Sequence, residues 1–491
     1  MKAFCRFNKS MGLNLCWLFL VFGTRWMAAE QTVATHESGV ESNLQFQNEI
    51  RGKLGQRMRL EDRMNALHVS GVSIAVIHRG AVEWAKGYGA TSLDGAPVST
   101  STLFNAASMT KPLTAVGVLR LVQIRKINLD APVNNYLKRW KIPENKFTAG
   151  HPVTIRQLLT HTSGIGTHEG QVADPDAGLP NILQVLDGQK PATTVPVRVE
   201  AQPGTKYAYS NGGYAVLQLL IEDVSGKPFA QYMQQAVLSP LHMDSSTFEA
   251  PLSPARVARA ATGYWADGVH GIAPAHFVKT QTSAGGLWTT PTDYAKFIIE
   301  LQRDYAGTSH RLLNQKMARE MMTAGMGPSP SVRWGLGVRV GGTASNTFFE
   351  HGGSGVFQNE SIGYLNGDGI VILTNGGGGG DLVNEVARSA ASVYNWPDFH
   401  SVQHTLVSLQ PEVLEKFVGT YDFIKITREY DRLMAEIPLG TERQQVFPEA
   451  QDQFFLQDAP TTLKFDLNDK GECTGVEFIT SIVHLQRPKT K

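Results

Sequence analysis

Cysteine is nearly absent, with 3 among 491 residues: Cys5, Cys16 and Cys473. None belongs to a C-x-x-C pair, so neither a thiol-ligated metal centre nor a dithiol redox site is encoded. Charge is scarce as well, at 18%, and balanced: 45 Lys and Arg against 44 Asp and Glu leave a net +1. No global field therefore recruits nucleic acid or an acidic membrane surface. Internal repeats are missing, and the 48 Gly and 24 Pro are dispersed, which excludes collagen-like and low-complexity chains. What is present is 42% hydrophobic and 9% aromatic residues, enough for two or three domains at roughly 100–200 residues each, with a sizeable core.

Lys2, Arg6 and Lys9 precede an apolar run from Met11 to Gly23, followed by Ala28 and Ala29. This order is that of a secretory signal peptide over residues 1–29, cleaved near Ala28 or Ala29. The run is short for a membrane span, which takes about 20 residues; an uncleaved signal anchor is the alternative. Leu13-Asn14-Leu15 ahead of Cys16 lacks the small residues of a lipoprotein signal. Once the signal is removed only Cys473 remains, so no internal disulfide forms.

Beyond the signal, residues 30–65 are polar and helix-prone. Gly71 to Ile77 is a short β-branched run that reads as a buried strand, and His78-Arg79-Gly80 turns it into a hairpin with Ala81–Ala85. A strongly apolar helix is expected from about Ser108 to Gln123, with Pro112 confined to its first turn. Short helices and Pro/Gly breaks occupy about 124–270, including a capped helix at Thr154–Leu159 ended by Gly164 and another near Ala215 to Val224. Strand signals return at Trp334–Val340, Ser361–Leu365 and Gly369–Leu373, then a helix at Asp381–Tyr394. Period-two alternation after 405, with Pro438 and Pro448, predicts a small antiparallel β module with one packed face over 405–491. The catalytic region is then 30–400, with a boundary near 400–410.

Three clusters carry chemistry. Ser108-Met109-Thr110-Lys111 puts a hydroxyl and an amine on one helix face, where a lysine of depressed pKa can take the serine proton. Alone, the spacing equally describes a capping serine with a surface lysine. Tyr209-Ser210-Asn211, between Pro203-Gly204 and Gly212-Gly213, reads as a loop offering a proton carrier and a carbonyl-orienting amide, or a tyrosine packed on the core. Glu350-His351-Gly352-Gly353-Ser354-Gly355 reads as a stretch where glycines admit a substrate backbone, or as an ordinary glycine-rich turn.

Taken together, in this order and spacing, the three resemble the serine β-lactamase and penicillin-binding protein superfamily, in its class C β-lactamase, DD-peptidase and esterase branch. Leu158–Gly164, Pro203-Gly204, Ser283–Trp288 and Trp334–Gly337 support the resemblance over roughly 60–395. It implies an α/β (α+β) fold, an antiparallel sheet flanked by helices plus a helical lobe, with the site between the lobes. Ser108 becomes the nucleophile, Lys111 its base and Tyr209 the proton shuttle. Asn211 becomes a substrate-orienting donor, and the backbone N–H groups of Ser108 and Ser354 an oxyanion hole. His351 and Gly353 would line the substrate site, His351 in the place of the lysine of a Lys-Thr-Gly motif. A histidine there can be neutral and Gly352 lacks the threonine hydroxyl, which argues against efficient β-lactam hydrolysis but not against serine acyl transfer.

The expected activity is that of an exported serine hydrolase acting through an acyl-serine on an amide, peptide or ester. Its partner is a small-molecule or peptide substrate, not nucleic acid, with no transmembrane domain after signal removal and no metal or organic cofactor. A small-ester esterase and a catalytically weak receptor for a cell-wall or peptide ligand are the rivals. His151, His161 and His168 with Glu169 match no metal-ligand spacing, and His161 is expected to tie down its own loop. Asn375 and Gly376–Gly380 lack the Gly-Lys-Ser/Thr of a phosphate loop and read as a turn at the rim of the cleft.

Overall fold

A computed structural model describes residues 31–490 apart from 54, 169–171, 174, 331, 438–442 and 481–483. The expected signal segment, Glu169 and Pro438 lie outside the described residues. Among them, no helix is long and apolar enough to cross a membrane.

The run Gly71–Ile77 is apolar apart from Ser73, because both of its faces are buried. It forms β1 (Gly71–His78), which turns through Arg79 and Gly80, both at positive φ, into β2 (Ala81–Gly89). These two edge a seven-stranded antiparallel sheet completed by β3 (Arg333–Trp334), β4 (Arg339–Gly341), β5 (Phe348–Gly353), β6 (Asn359–Tyr364) and β7 (Gly369–Thr374), in the order β3-β4-β5-β6-β7-β1-β2. Ala75 and Ile77 face one core, which they share with the helical lobe. Val72, Ile74 and Val76 face a second, against Leu382 and Val386. Helices thus cover both sides.

Four helices position the site: α1 (Thr110–Gln123), α2 (Asn211–Ser225), α3 (Pro291–Ala306) and α4 (Gly379–Tyr394). α1 is buried almost throughout, as expected of a helix apolar all round. α3 and α4 show one apolar face each, α3 against the first core and α4 against the second.

Several boundaries differ from the sequence reading. Trp334–Val340 is not one strand but the tight hairpin β3–β4, with Gly337 at φ +86 between them. An added Cβ at Gly337 would stand 2.5 Å from that of Ala115, so the turn packs against α1. The helix capped by Thr154 ends at Thr160, before Gly164. The 30–65 segment holds helices at 31–42 and Leu60–Ala66, and between them a strand, Asn48–Ile50, pairs in parallel with Val402–His404.

From Gly419 onward eight strands follow in sequence order: β8 (Gly419–Tyr421), β9 (Ile424–Glu429), β10 (Arg432–Glu436), β11 (Gln444–Pro448), β12 (Gln453–Leu456), β13 (Thr462–Leu467), β14 (Cys473–Ile479) and β15 (His484–Pro488). Instead of lying flat, the sheet curls. Thr490, just past β15, donates from its backbone N–H to the Thr420 carbonyl on β8 at 2.8 Å. The result is barrel-like, with Phe417, Ile426, Phe454, Phe465 and Val476 filling its interior. Asn48 ties the N-terminal strand to it, its amide donating to the carbonyls of Leu456 at 2.6 Å and Ala459 at 2.9 Å.

Candidate active site

The turn carrying Ser108 is built from Asn105. Its side-chain carbonyl accepts from the Ala107 N–H at 3.0 Å, and its amide donates to the Gly285 carbonyl at 3.1 Å. Ala107 is held at φ +46, a left-handed conformation that costs an L-residue about 1–2 kcal/mol. The chain leaves it in a 3-10 turn, Ala107–Met109, and continues as α1, so Ser108 stands just ahead of the helix. The Ser283–Leu287 stretch docks alongside: Thr114 donates to the Ser283 carbonyl at 2.8 Å and the Leu287 N–H donates to Thr110 Oγ1 at 3.1 Å.

Lys111 is wholly buried, 0% exposed, and its Nζ donates to Ser108 Oγ and to the Ala284 carbonyl, both at 2.9 Å. No carboxylate among the described residues pairs with it, and its burial removes it from bulk solvent. Burial therefore pushes its pKa well below the ordinary lysine value, and the charge of Lys279 pushes it further. The amine lies 4.8 Å from the ring centroid of Tyr209 and 5.5 Å from that of Tyr214.

Tyr209 is delivered by the start of α2. Ser210 is the N-cap, its hydroxyl accepting from the Gly213 N–H at 3.0 Å, so Asn211 occupies the first helical turn and not a loop. Burial raises the pKa of the Tyr209 hydroxyl, and Ser108 beside it offsets only part of that rise. Amine and phenol are thus driven in opposite directions by the same loss of water.

A cleft of about 840 Å³ opens over Ser108, and Tyr209, Asn211 and Ser354 line it with Ser108. His351 and Gly353 do not. His351 is 4% exposed and sits behind the wall, its ring 6.4 Å from Tyr209 and 5.5 Å from Trp334. Its Nδ1 donates to the Gly352 carbonyl at 2.7 Å. Burial, with Lys111 adding, pushes its pKa down to about 3, so the ring is neutral at physiological pH. Gly353 packs closely on backbone: an added Cβ would meet the Ala106 carbonyl at 2.4 Å. Gly353→Ala is expected to lower the unfolding free energy by about 1–3 kcal/mol in urea titrations, with reduced turnover because the displaced turn carries Ser108. Unchanged stability would show that the strand yields without cost.

Several residues escape sequence reasoning. His161 is 1% exposed and packs on Tyr209 with ring centroids 4.3 Å apart. Its Nδ1 accepts from the Ser210 N–H at 3.1 Å, and burial beside Lys111 keeps it neutral. It therefore fixes the Tyr209 ring as well as its loop. Leu158–Gly164 contains it, but nothing in that spelling shows which ring it will touch. His168 is held by the carbonyls of Gly166 and Pro196, and His151 is exposed. Asn375 is structural: its side-chain oxygen accepts from the Gly71 N–H at 2.7 Å. The glycines after it line a different cavity, beside Arg63 and Asp458. Lys279 and Gln281, unremarkable in the sequence, both reach the cleft over Ser108.

The Beta-lactamase family model matches residues 57–395. Protein flp of Staphylococcus aureus (strain MRSA252) is 30% identical over 194 residues, 39% of this chain and 37% of that protein, so the chain spans little more than a third of that relative's length. The putative penicillin-binding protein PbpX of Bacillus subtilis (strain 168) is 26% identical over 367 residues, 70% of this chain and 83% of that one. The octameric penicillin-binding protein homologue from Pyrococcus abyssi shares the fold, with TM-score 0.57 at 21% identity over 87% of this chain and 98% of that chain. The matched region contains every described residue that lines the cleft over Ser108, and the chain belongs to the Beta-lactamase family, a family of serine-hydrolase type.

Proposed function

We propose that this protein is an exported serine hydrolase that cleaves an amide, peptide or ester through an acyl-Ser108 intermediate. The observation that carries the reading is the 2.9 Å contact between Ser108 Oγ and a buried lysine amine that has no counter-charge among the described residues. Burial disfavours the charged form of an amine so placed and makes it available to accept a proton, whereas the phenol of Tyr209, raised by burial, stays protonated. Lys111 is then the base that takes the Ser108 proton, and Tyr209 relays that proton to the departing amine or alcohol.

Ser108 Oγ forms its bond to the carbonyl carbon as the bond to the leaving group breaks. Water next attacks the ester, gives its proton back through the same pair and releases the acid. The backbone N–H groups of Ser108 and Ser354 would hold the carbonyl oxygen as it gains charge, and Asn211 would orient the acyl chain. His351, neutral and withdrawn behind the wall, supplies no cation for a β-lactam carboxylate, so nitrocefin is expected to be a poor substrate beside simple esters.

A fluorophosphonate probe tests this directly. Stoichiometric labelling of the wild type, absent in Ser108→Ala, is the expected result. No labelling of either protein would leave the cleft as a receptor instead of an enzyme site.

A further inference from the structure

Burial lowers the pKa of Lys279 to about 8, which leaves its amine largely cationic at neutral pH, and no Asp or Glu among the described residues of the cleft lining balances it. The titratable Tyr209 and His276 line the cleft with it. Lys279 ends the short strand Val278–Lys279, paired with Val172–Ala173 on the facing wall. Its stem runs toward the nucleophile: a Cβ placed on Gly285 would stand 3.8 Å both from Lys279 Cδ and from the Ala107 backbone. The contact found for its amine is with the Phe277 ring, at 5.5 Å to the centroid, not with a carboxylate.

Two residues along is Gln281. It is 2% exposed and lines the same cleft, yet both its amide nitrogen and its carbonyl oxygen lack a hydrogen-bond partner among the described residues. Leaving a buried amide unsatisfied at both ends is costly, and such groups usually await a ligand or water. A cation without an acid and an amide without a partner among the described residues, both lining the cleft with Ser108, match an anionic oxygen group: the ammonium pairs with its charge and the amide N–H donates to a second oxygen.

We propose that Lys279 and Gln281 form a subsite for a substrate carboxylate, so that the enzyme prefers anionic substrates over neutral ones of the same shape. This rests on the serine-hydrolase reading above. It supplies, from the Val278–Lys279 strand, the cation that the His-Gly-Gly stretch lacks. Lys279 also depresses the pKa of Lys111 through its charge, so occupation of the subsite would couple substrate charge to the base.

Two matched ester pairs test it: 4-nitrophenyl succinate against 4-nitrophenyl butyrate for the acyl side, and 4-carboxyphenyl butyrate against phenyl butyrate for the leaving group. In the wild type, kcat/KM for the anionic member of one pair is expected to exceed that of its neutral partner by about 10- to 100-fold, mainly through KM. Lys279→Met should collapse the ratio to within about threefold, and Lys279→Arg should restore most of it. Gln281→Leu should lower it partially. Equal losses on both members in Lys279→Met would mean that the lysine acts only through Lys111, and would overturn the subsite. So would a wild type without preference in either pair, even with Ser108-dependent hydrolysis of the neutral esters intact. Absence of Ser108-dependent hydrolysis of all four esters would instead overturn the hydrolase reading, and the subsite with it.

Discussion

Lys111→Met yields a folded protein whose kcat/KM falls by about 10³- to 10⁴-fold, the range expected when a positioned general base is lost. The methionine fills most of the lysine's volume in α1 and leaves the Asn105 scaffold untouched, so the Ser108 turn stays in place. Stability changes in a way that identifies the cause. The folded protein holds Lys111 with a depressed pKa, whereas the unfolded chain protonates it up to about pH 10.5. Between those two values the unfolded state binds one more proton, so wild-type stability rises with pH, by about 1.4 kcal/mol per pH unit from this group. Below the folded value the destabilisation is at its full size and constant. Lys111→Met lacks this component. Its melting temperature relative to wild type is therefore expected to be highest at the acid end of that window and to decline toward pH 10. A constant difference across pH would mean that Lys111 is not buried neutral.

Tyr209→Phe is expected to lower kcat by about 10²- to 10³-fold with little change in KM, because it removes the hydroxyl that shares the cleft with Ser108 and keeps the ring between Lys111 and His161. The acidic limb of kcat/KM distinguishes relay from base. If Lys111 is the base, activity rises as pH climbs through its depressed pKa, and this limb stays in place in Tyr209→Phe. A limb that disappears with the phenol would make the tyrosine the base. His161 and Trp334 pack around the same ring, so the variant should also keep its thermal stability to within a few degrees.

Some parts of this arrangement can be read in the chain because their causes are local. Gly71–Ile77 is apolar on both faces, which only a doubly covered strand tolerates. Pro112 restricts where its helix begins, and the alternation beyond 405 announces strands on a packed face. Other parts misled. Gly337 and Gly335 look like residues within a strand, yet they turn it back on α1. Gly353 reads as room for substrate, although the close neighbour that forbids a side chain is the Ala106 carbonyl, nearly 250 positions earlier. His161 reads as a loop tether, and its ring contact with Tyr209 crosses 48 positions.

The amino-acid order alone determined the family, the α/β scaffold and the three clusters in which a hydroxyl, an amine and a phenol occur, since spacing along a helix and the placement of Gly and Pro are local properties. Only the tertiary structure decided the protonation of those groups and the walls around them. Desolvation belongs to no residue by itself: it lowers Lys111, raises Tyr209 and silences His351 because the lobes exclude water from all three at once. The same packing brings Lys279 and Gln281, from a segment without any recognisable motif, to the cleft over Ser108.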